Sequence, residues 1–151
     1  MQLKSIITAS IIAFLLMTSS SSIAALKVGD KAPNFSLQDQ NNITHTLSDY
    51  EGQWVVLYFY PKDDTPGCTT QACDFRDAVK RIIVSKAIVF GLSLDSVTSH
   101  KLFAEKYNLP FSLLADETGE VSELYDSLRK LLGYAKRNTF IVDPKGNIAK
   151  I

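Results

Sequence analysis

Two cysteines, Cys68 and Cys73, lie in the segment FYPKDDTPGCTTQACDFRD that runs from Phe59 to Asp77. There a hydrophobic strand pattern enters a turn, and a helical pattern begins near Cys68. A helix start gathers unpaired backbone N–H groups and the positive end of the peptide dipole, and both favour a thiolate over a thiol. Cys68 is therefore a candidate nucleophile, with Cys73 the second sulfur for redox work. Pro61 ends the strand, and Thr65, Pro66 and Gly67 lead into the helix. The Thr65 hydroxyl can cap free N–H groups or face a ligand beside the sulfur. The N–H groups beyond it form a pocket suited to a small polar oxidant that acquires negative charge.

Spacing limits what the pair can do. Positions five apart on an unbroken helix have Cα atoms roughly 8 to 9 Å apart, with side chains diverging by about 140°. A disulfide needs Cα atoms closer than about 7 Å, so the two sulfurs bond only when the helix opens. A permanent bridge across so short a loop would be worth only about 2 kcal/mol before strain, and would cost a turn of helix. A reversible couple, with the helix opening on oxidation and closing on reduction, makes better use of the same spacing. Lowering the pKa of an ordinary cysteine raises its thiolate fraction by at most about thirtyfold at neutral pH, while blunting its nucleophilicity. Any larger acceleration must come from hydrogen bonds that align an oxidant and stabilise its departing atom.

The elements that must hold this segment are legible as alternating patterns. Trp54–Tyr60 (WVVLYFY) and Ala87–Leu94 (AIVFGLSL) are continuous apolar runs of buried-strand type, and Phe111–Ala115 and Thr139–Val142 are shorter versions. Helical spacing joins Ala72, Phe75, Val79, Ile82 and Ile83, then Val97, Leu102, Phe103 and Tyr107, then Val121, Leu124, Tyr125 and Leu128. Such alternation predicts an α/β fold with parallel crossovers and helices flanking a central sheet. The turn cluster Asp143–Asn147 followed by Ile148–Ile151 predicts a closing antiparallel hairpin, which makes the sheet mixed. Phe35–Leu37 and Ile43–Leu47, split by DQNN, predict a smaller N-terminal β-hairpin. The sequence stops soon after Ile148, before an element that would cover the last strand, so a C-terminally truncated domain is expected, the alternative being a fold that ends unusually early.

Residues 1–25 read as an export signal: Lys4, an apolar run from Ile6 to Met17, then SSSSIAA, with cleavage after Ala24 or Ala25. The run is short for a bilayer span, so residues 26–151 are expected as one exported domain, in the periplasm if the source is bacterial. A membrane anchor formed by an uncleaved leader is the alternative. Lysine plus arginine and aspartate plus glutamate number sixteen each; without Lys4, the only charge in the leader, the domain carries minus one. With no basic stripe or charged tail, nucleic acid and anionic membranes are not expected partners. Export puts both cysteines where disulfides persist, so a purely structural bridge has to be weighed against redox chemistry.

Phe59–Asp77 closely resembles the active-site segment of the peroxiredoxins, specifically the peroxiredoxin Q group, also called bacterioferritin comigratory protein. Pro61, Thr65 and Cys68 fall on that family's Pro-x-x-x-Thr-x-x-Cys motif, and Cys73 falls on the group's resolving cysteine. The likeness runs from VGDKAPNF at Val28 to Ile151, and Arg137 in RNTFIVDPKGN matches an arginine that the family brings to the reactive sulfur. The resemblance implies a thioredoxin-like fold and a thiol-dependent peroxidase. Cys68 would attack a peroxide and become a sulfenic acid, Cys73 would condense with it, and a thioredoxin-like donor would reduce the disulfide. Thr65 and Arg137 would hold the peroxide and Pro61 would shield the oxidised sulfur. A monomer with no metal or organic cofactor is implied. Three departures stand out: family members continue with a further helix after the strand at Ile148, Asp126–Lys136 is short, and many relatives lack a leader.

Two other chemistries fit less well. Zinc would need His45 and His100 with the cysteines, but neither histidine has finger spacing, and both read as polar-surface residues. A thioredoxin-type exchanger would place its cysteines three apart, not five. Asp63, Asp64, Asp74 and Arg76 read as solvated charges, and Trp54, Tyr58 and Tyr60 as core, with Phe59 and Tyr60 also able to wall the pocket.

Overall fold

A computed structural model describes residues 25–84 and 87–151. Apart from Ala25 the expected leader lies outside the described residues, as do the side chains of Ile82 and Ile83 in the first helical stripe. The N-terminal hairpin forms as β1 (Ser36–Gln38) and β2 (Thr44–Thr46), with Leu37 opposite His45. Its turn is shaped by Asp39, whose carboxylate accepts the N–H groups of Asn41 and Ile43 at 2.8 and 3.0 Å.

The alternating body follows as β3 (Trp54–Phe59), α1 (Pro66–Val84), β4 (Ala87–Ser93), α2 (Val97–Tyr107) and β5 (Ser112–Ala115). A short α3 (Glu120–Leu124) comes next, then a small hairpin of β6 (Leu128–Arg129) and β7 (Tyr134–Ala135), and last β8 (Asn138–Val142) and β9 (Ile148–Lys150). The third helical stripe is shorter than its spacing predicts. Asp126 takes a left-handed φ of 46°, which ends helical geometry, and Leu128 pairs with Ala135 in the hairpin instead.

The main sheet has the order β5-β4-β3-β8-β9; β3, β4 and β5 are parallel, and β8 runs antiparallel to both β3 and β9. Two crossovers that step in the same direction, with the same right-handed sense, place α1 and α2 on one face. That face buries Tyr58, Tyr60, Val89 and Leu113 with Cys68, Ala72, Phe103 and Ala104. The opposite face buries Leu57, Phe59, Leu92, Phe140 and Val142 with Val121 and Tyr125 from the α3 region and Phe35 from the N-terminal arm. The strands thus alternate between two cores, as a covered sheet requires.

Trp54 departs from the expected core role. It opens β3 at the strand end away from the turn to α1 and is 41% exposed, because a strand's first residue projects past the layers that cover its middle. Gly91 shows how tightly the α1 face is filled: a Cβ there would lie 2.6 Å from the Tyr58 ring and hydroxyl and 2.8 Å from Leu113. Gly91→Ala should cost about 1 to 3 kcal/mol by overpacking, lowering the urea midpoint with an unchanged slope. An unchanged midpoint would mean that Tyr58 moves freely.

Candidate active site

The site forms where β3 ends and α1 begins. Pro66 opens α1, with a φ suited to the first helical turn and no N–H to leave unpaired. The Thr65 carbonyl accepts the first helical bond, from the Thr69 N–H at 2.8 Å. The Thr65 side chain does not cap the helix; its hydroxyl donates back to the Lys62 carbonyl at 3.1 Å and keeps its lone pairs as acceptors. Cys68 lies in the first turn with 1% of its surface exposed, and Cys73 is half-buried. Both are free thiols on one continuous helix, the geometry in which their spacing keeps the two sulfurs from bonding.

Arg137 reaches this helix start through sheet register. Antiparallel pairing sets Phe59 opposite Asn138, so the residue before β8 stands at the same sheet end as the residues after β3. The guanidinium Nη2 donates to Cys68 Sγ at 3.0 Å and Nη1 donates to Gln71 Oε1 at 2.8 Å. It can lie there because residue 67 is glycine: a Cβ at Gly67 would stand 2.9 Å from Nη2. Pro61 is half-buried and shares the wall of an open groove with Arg137, Tyr134 and Asn138. Cys68 and Arg137 are therefore in direct contact, with Thr65 three residues before Cys68 and Pro61 on the wall beside Arg137. Cys73, five positions further along the same intact helix, stands apart from the Cys68 sulfur.

Asp63 corrects the expectation that both turn aspartates are solvated. It is 7% exposed and accepts from the Tyr60 hydroxyl at 2.7 Å and the Ser99 hydroxyl at 2.7 Å, with His100 Nδ1 at 2.9 Å. Its own N–H donates to Asp95 at 2.9 Å. His100, expected on a polar surface, is wholly buried, its Nε2 donating to the Leu114 carbonyl at 3.2 Å. A charge enters an apolar layer when enough donors meet it, and these donors come from Tyr60, just after β3, and from Ser99 and His100 on α2. The cluster pins the Pro61–Thr65 turn to the sheet edge. Asp64 follows the sequence reading: it is exposed, and Lys106 and the Tyr107 hydroxyl, both donating to it, hold its carboxyl below the usual range.

Burial, with the negative charge of Asp63 second, raises the Tyr58 and Tyr60 hydroxyls well above the ordinary phenol range, so both stay protonated beside the cysteine layer. His45 is half-buried, between the Tyr50 hydroxyl and the Asp39 carboxylate, the latter at 3.0 Å. Each histidine is thus taken by a different aspartate, far from the arrangement a shared metal would need. Gln71 is a site residue that motif spacing did not single out; its signal was its place three residues after Cys68, on the same helix face.

Comparison with known proteins follows the same outline. The AhpC/TSA family matches residues 28–151. Over 131 residues the chain is 44% identical to peroxiredoxin Bcp of Bacillus subtilis, covering 83% of each chain. Its fold is similar to peroxidoxin BcpB of Mycobacterium tuberculosis, with a TM-score of 0.77, 38% identity and 82% of both chains covered. It is also similar to a bacterioferritin comigratory protein of Xanthomonas campestris described for alkyl peroxide reduction, with a TM-score of 0.75, 31% identity, and 84% and 85% of the two chains covered.

Proposed function

This chain belongs to the AhpC/TSA family, as a peroxiredoxin of the Bcp and Q type, and on that premise we propose that it reduces hydrogen peroxide and organic hydroperoxides with Cys68 as the attacking sulfur. The observation that carries this reading is the 3.0 Å contact from Arg137 Nη2 to Cys68 Sγ at the start of α1. A donor so placed stands ready for the charge that develops on an oxygen arriving at the sulfur.

The Cys68 thiolate attacks the terminal peroxide oxygen; an S–O bond forms, the O–O bond breaks, and the leaving oxygen takes a proton to depart as water or an alcohol. Thr65, whose hydroxyl hydrogen is engaged by Lys62, has lone pairs to accept the peroxide O–H, and Arg137 stabilises the leaving oxygen. Pro61 shields the sulfenic acid from bulk water. The first turns of α1 then open, and Cys73 attacks the sulfenic sulfur, forming the disulfide and expelling water. A thioredoxin-like dithiol supplies two electrons and regenerates both thiols. The protein acts in this reading as an exported monomer, so its reductant works outside the cytoplasm.

Rapid loss of about one equivalent of hydrogen peroxide on mixing with the fully reduced protein tests the reading directly. The Cys73→Ser variant separates the two cysteines. It should oxidise once at the wild-type rate and then stall as the sulfenic acid, detectable by mass spectrometry after dimedone trapping. Sustained thioredoxin-dependent turnover by this variant would refute the resolving role of Cys73.

A further inference from the structure

Arg137 is held twice by the same helix. Cys68 and Gln71 are three residues apart, so both present to one face of α1, and neighbouring nitrogens of one planar guanidinium reach the sulfur at 3.0 Å and the amide oxygen at 2.8 Å. A guanidinium has only donors, so Gln71 must offer its oxygen, and that oxygen carries no charge. The ion pairs among the described residues engage His45, Arg76, His100, Lys106, Lys130 and Lys136, and none includes Arg137. The full positive charge of Arg137 therefore faces the sulfur.

Gln71 also lies inside the stretch between Cys68 and Cys73 that has to leave helical geometry before the sulfurs can meet. Arg137 sits beyond that change, immediately before β8, whose first residue Asn138 is paired with Phe59 of β3. We propose that Gln71 is a positioning residue that aims Arg137 at the Cys68 sulfur without cancelling its charge and lets go of it when α1 unwinds. The inference rests on the peroxidase reading above and adds to it a link between the two half-reactions: the pocket that accepts peroxide comes apart as the disulfide forms, and reassembles only with the helix.

Two variants test this, and both replacements are good helix formers, so α1 is kept. Rates of Cys68 oxidation by hydrogen peroxide and of subsequent disulfide formation are measured separately, by quenched flow and thiol alkylation. Gln71→Ala removes an anchor of both the arginine and the closed helix; oxidation should slow about threefold to tenfold and disulfide formation should speed up. Gln71→Glu adds an ion pair to the closed form and neutralises the guanidinium; oxidation should slow by a similar factor and disulfide formation should slow as well. The opposite sign of the two variants on the second step is an effect that general damage to the site does not give. Both variants within twofold of wild type on both steps, or both moving disulfide formation in the same direction, would overturn the role of Gln71. A wild-type protein that leaves peroxide untouched would overturn the peroxidase reading itself.

Discussion

Reduced Cys68→Ser protein mixed with hydrogen peroxide should leave the peroxide to decay at its uncatalysed rate, a loss of essentially all turnover for the exchange of one atom. The reason lies in what surrounds residue 68. A thiol ionises to a useful extent near neutral pH unaided, whereas a serine hydroxyl attacks only when a base removes its proton. The group in contact with Cys68 Sγ is Arg137, which donates and cannot accept a proton. Neither histidine can take that role, since His100 is held by Asp63 and the Leu114 carbonyl, and His45 by Asp39 and Tyr50. The swap nearly conserves volume, so the buried layer of Tyr58, Ala72 and Leu113 should persist, which circular dichroism and the urea midpoint check. Mass spectrometry should then show no oxygen at residue 68 and no link to Cys73. Turnover above a tenth of wild type would remove Cys68 as the nucleophile.

The reactive segment was legible because its parts are close in sequence. A buried strand, Pro61, Thr65 and a helix beginning at the cysteine follow from local rules, and the five-residue separation says that any bond between the sulfurs would need the helix to open. The same holds for the mixed sheet and for the β1–β2 and β8–β9 hairpins, whose turns carry their own signals. Arg137 is different in kind. No spacing argument places it at Cys68; it came from the family resemblance, and its physical cause is the register of β8 on β3.

What the sequence did not yield are contacts whose stabilising partners lie far along the chain. Two adjacent aspartates in a turn read as solvated, because charges are seldom buried alone, yet Asp63 is buried by donors such as His100, 37 positions away. The apolar spacing of Val121, Leu124, Tyr125 and Leu128 suits a helix, and only the left-handed backbone of Asp126 diverts it into a hairpin. Trp54 begins an apolar run, and its exposure depends on where the covering layers stop. Only at Asp63 did tertiary partners override the local preference, and that residue shapes the turn leading into the site.

Arg137→Ala should slow the oxidation of Cys68 about a hundredfold to a thousandfold, the usual range for a donor that meets developing charge, while reduction of the disulfide by a dithiol stays within about threefold of wild type. The asymmetry follows from the geometry. Arg137 touches the sulfur in the intact helix, where in the proposed reaction the thiolate attacks and the leaving oxygen gathers charge. In the proposed cycle the disulfide forms only after that helix has opened and the guanidinium has lost its partners on α1. Arg137→Lys should fall between the two: an ammonium keeps the charge, but lacks the planar fork that spans Cys68 and Gln71 together. Folding is not at issue, since the residue is exposed and its contacts are with the site. The sole tryptophan, Trp54, stands at the far end of β3 and makes a poor reporter, so both steps are best followed by quenched flow with thiol alkylation. Equal slowing of oxidation and reduction would mark the arginine as a structural strut, and the account of how this pocket breaks an O–O bond would then lose its electrostatic basis.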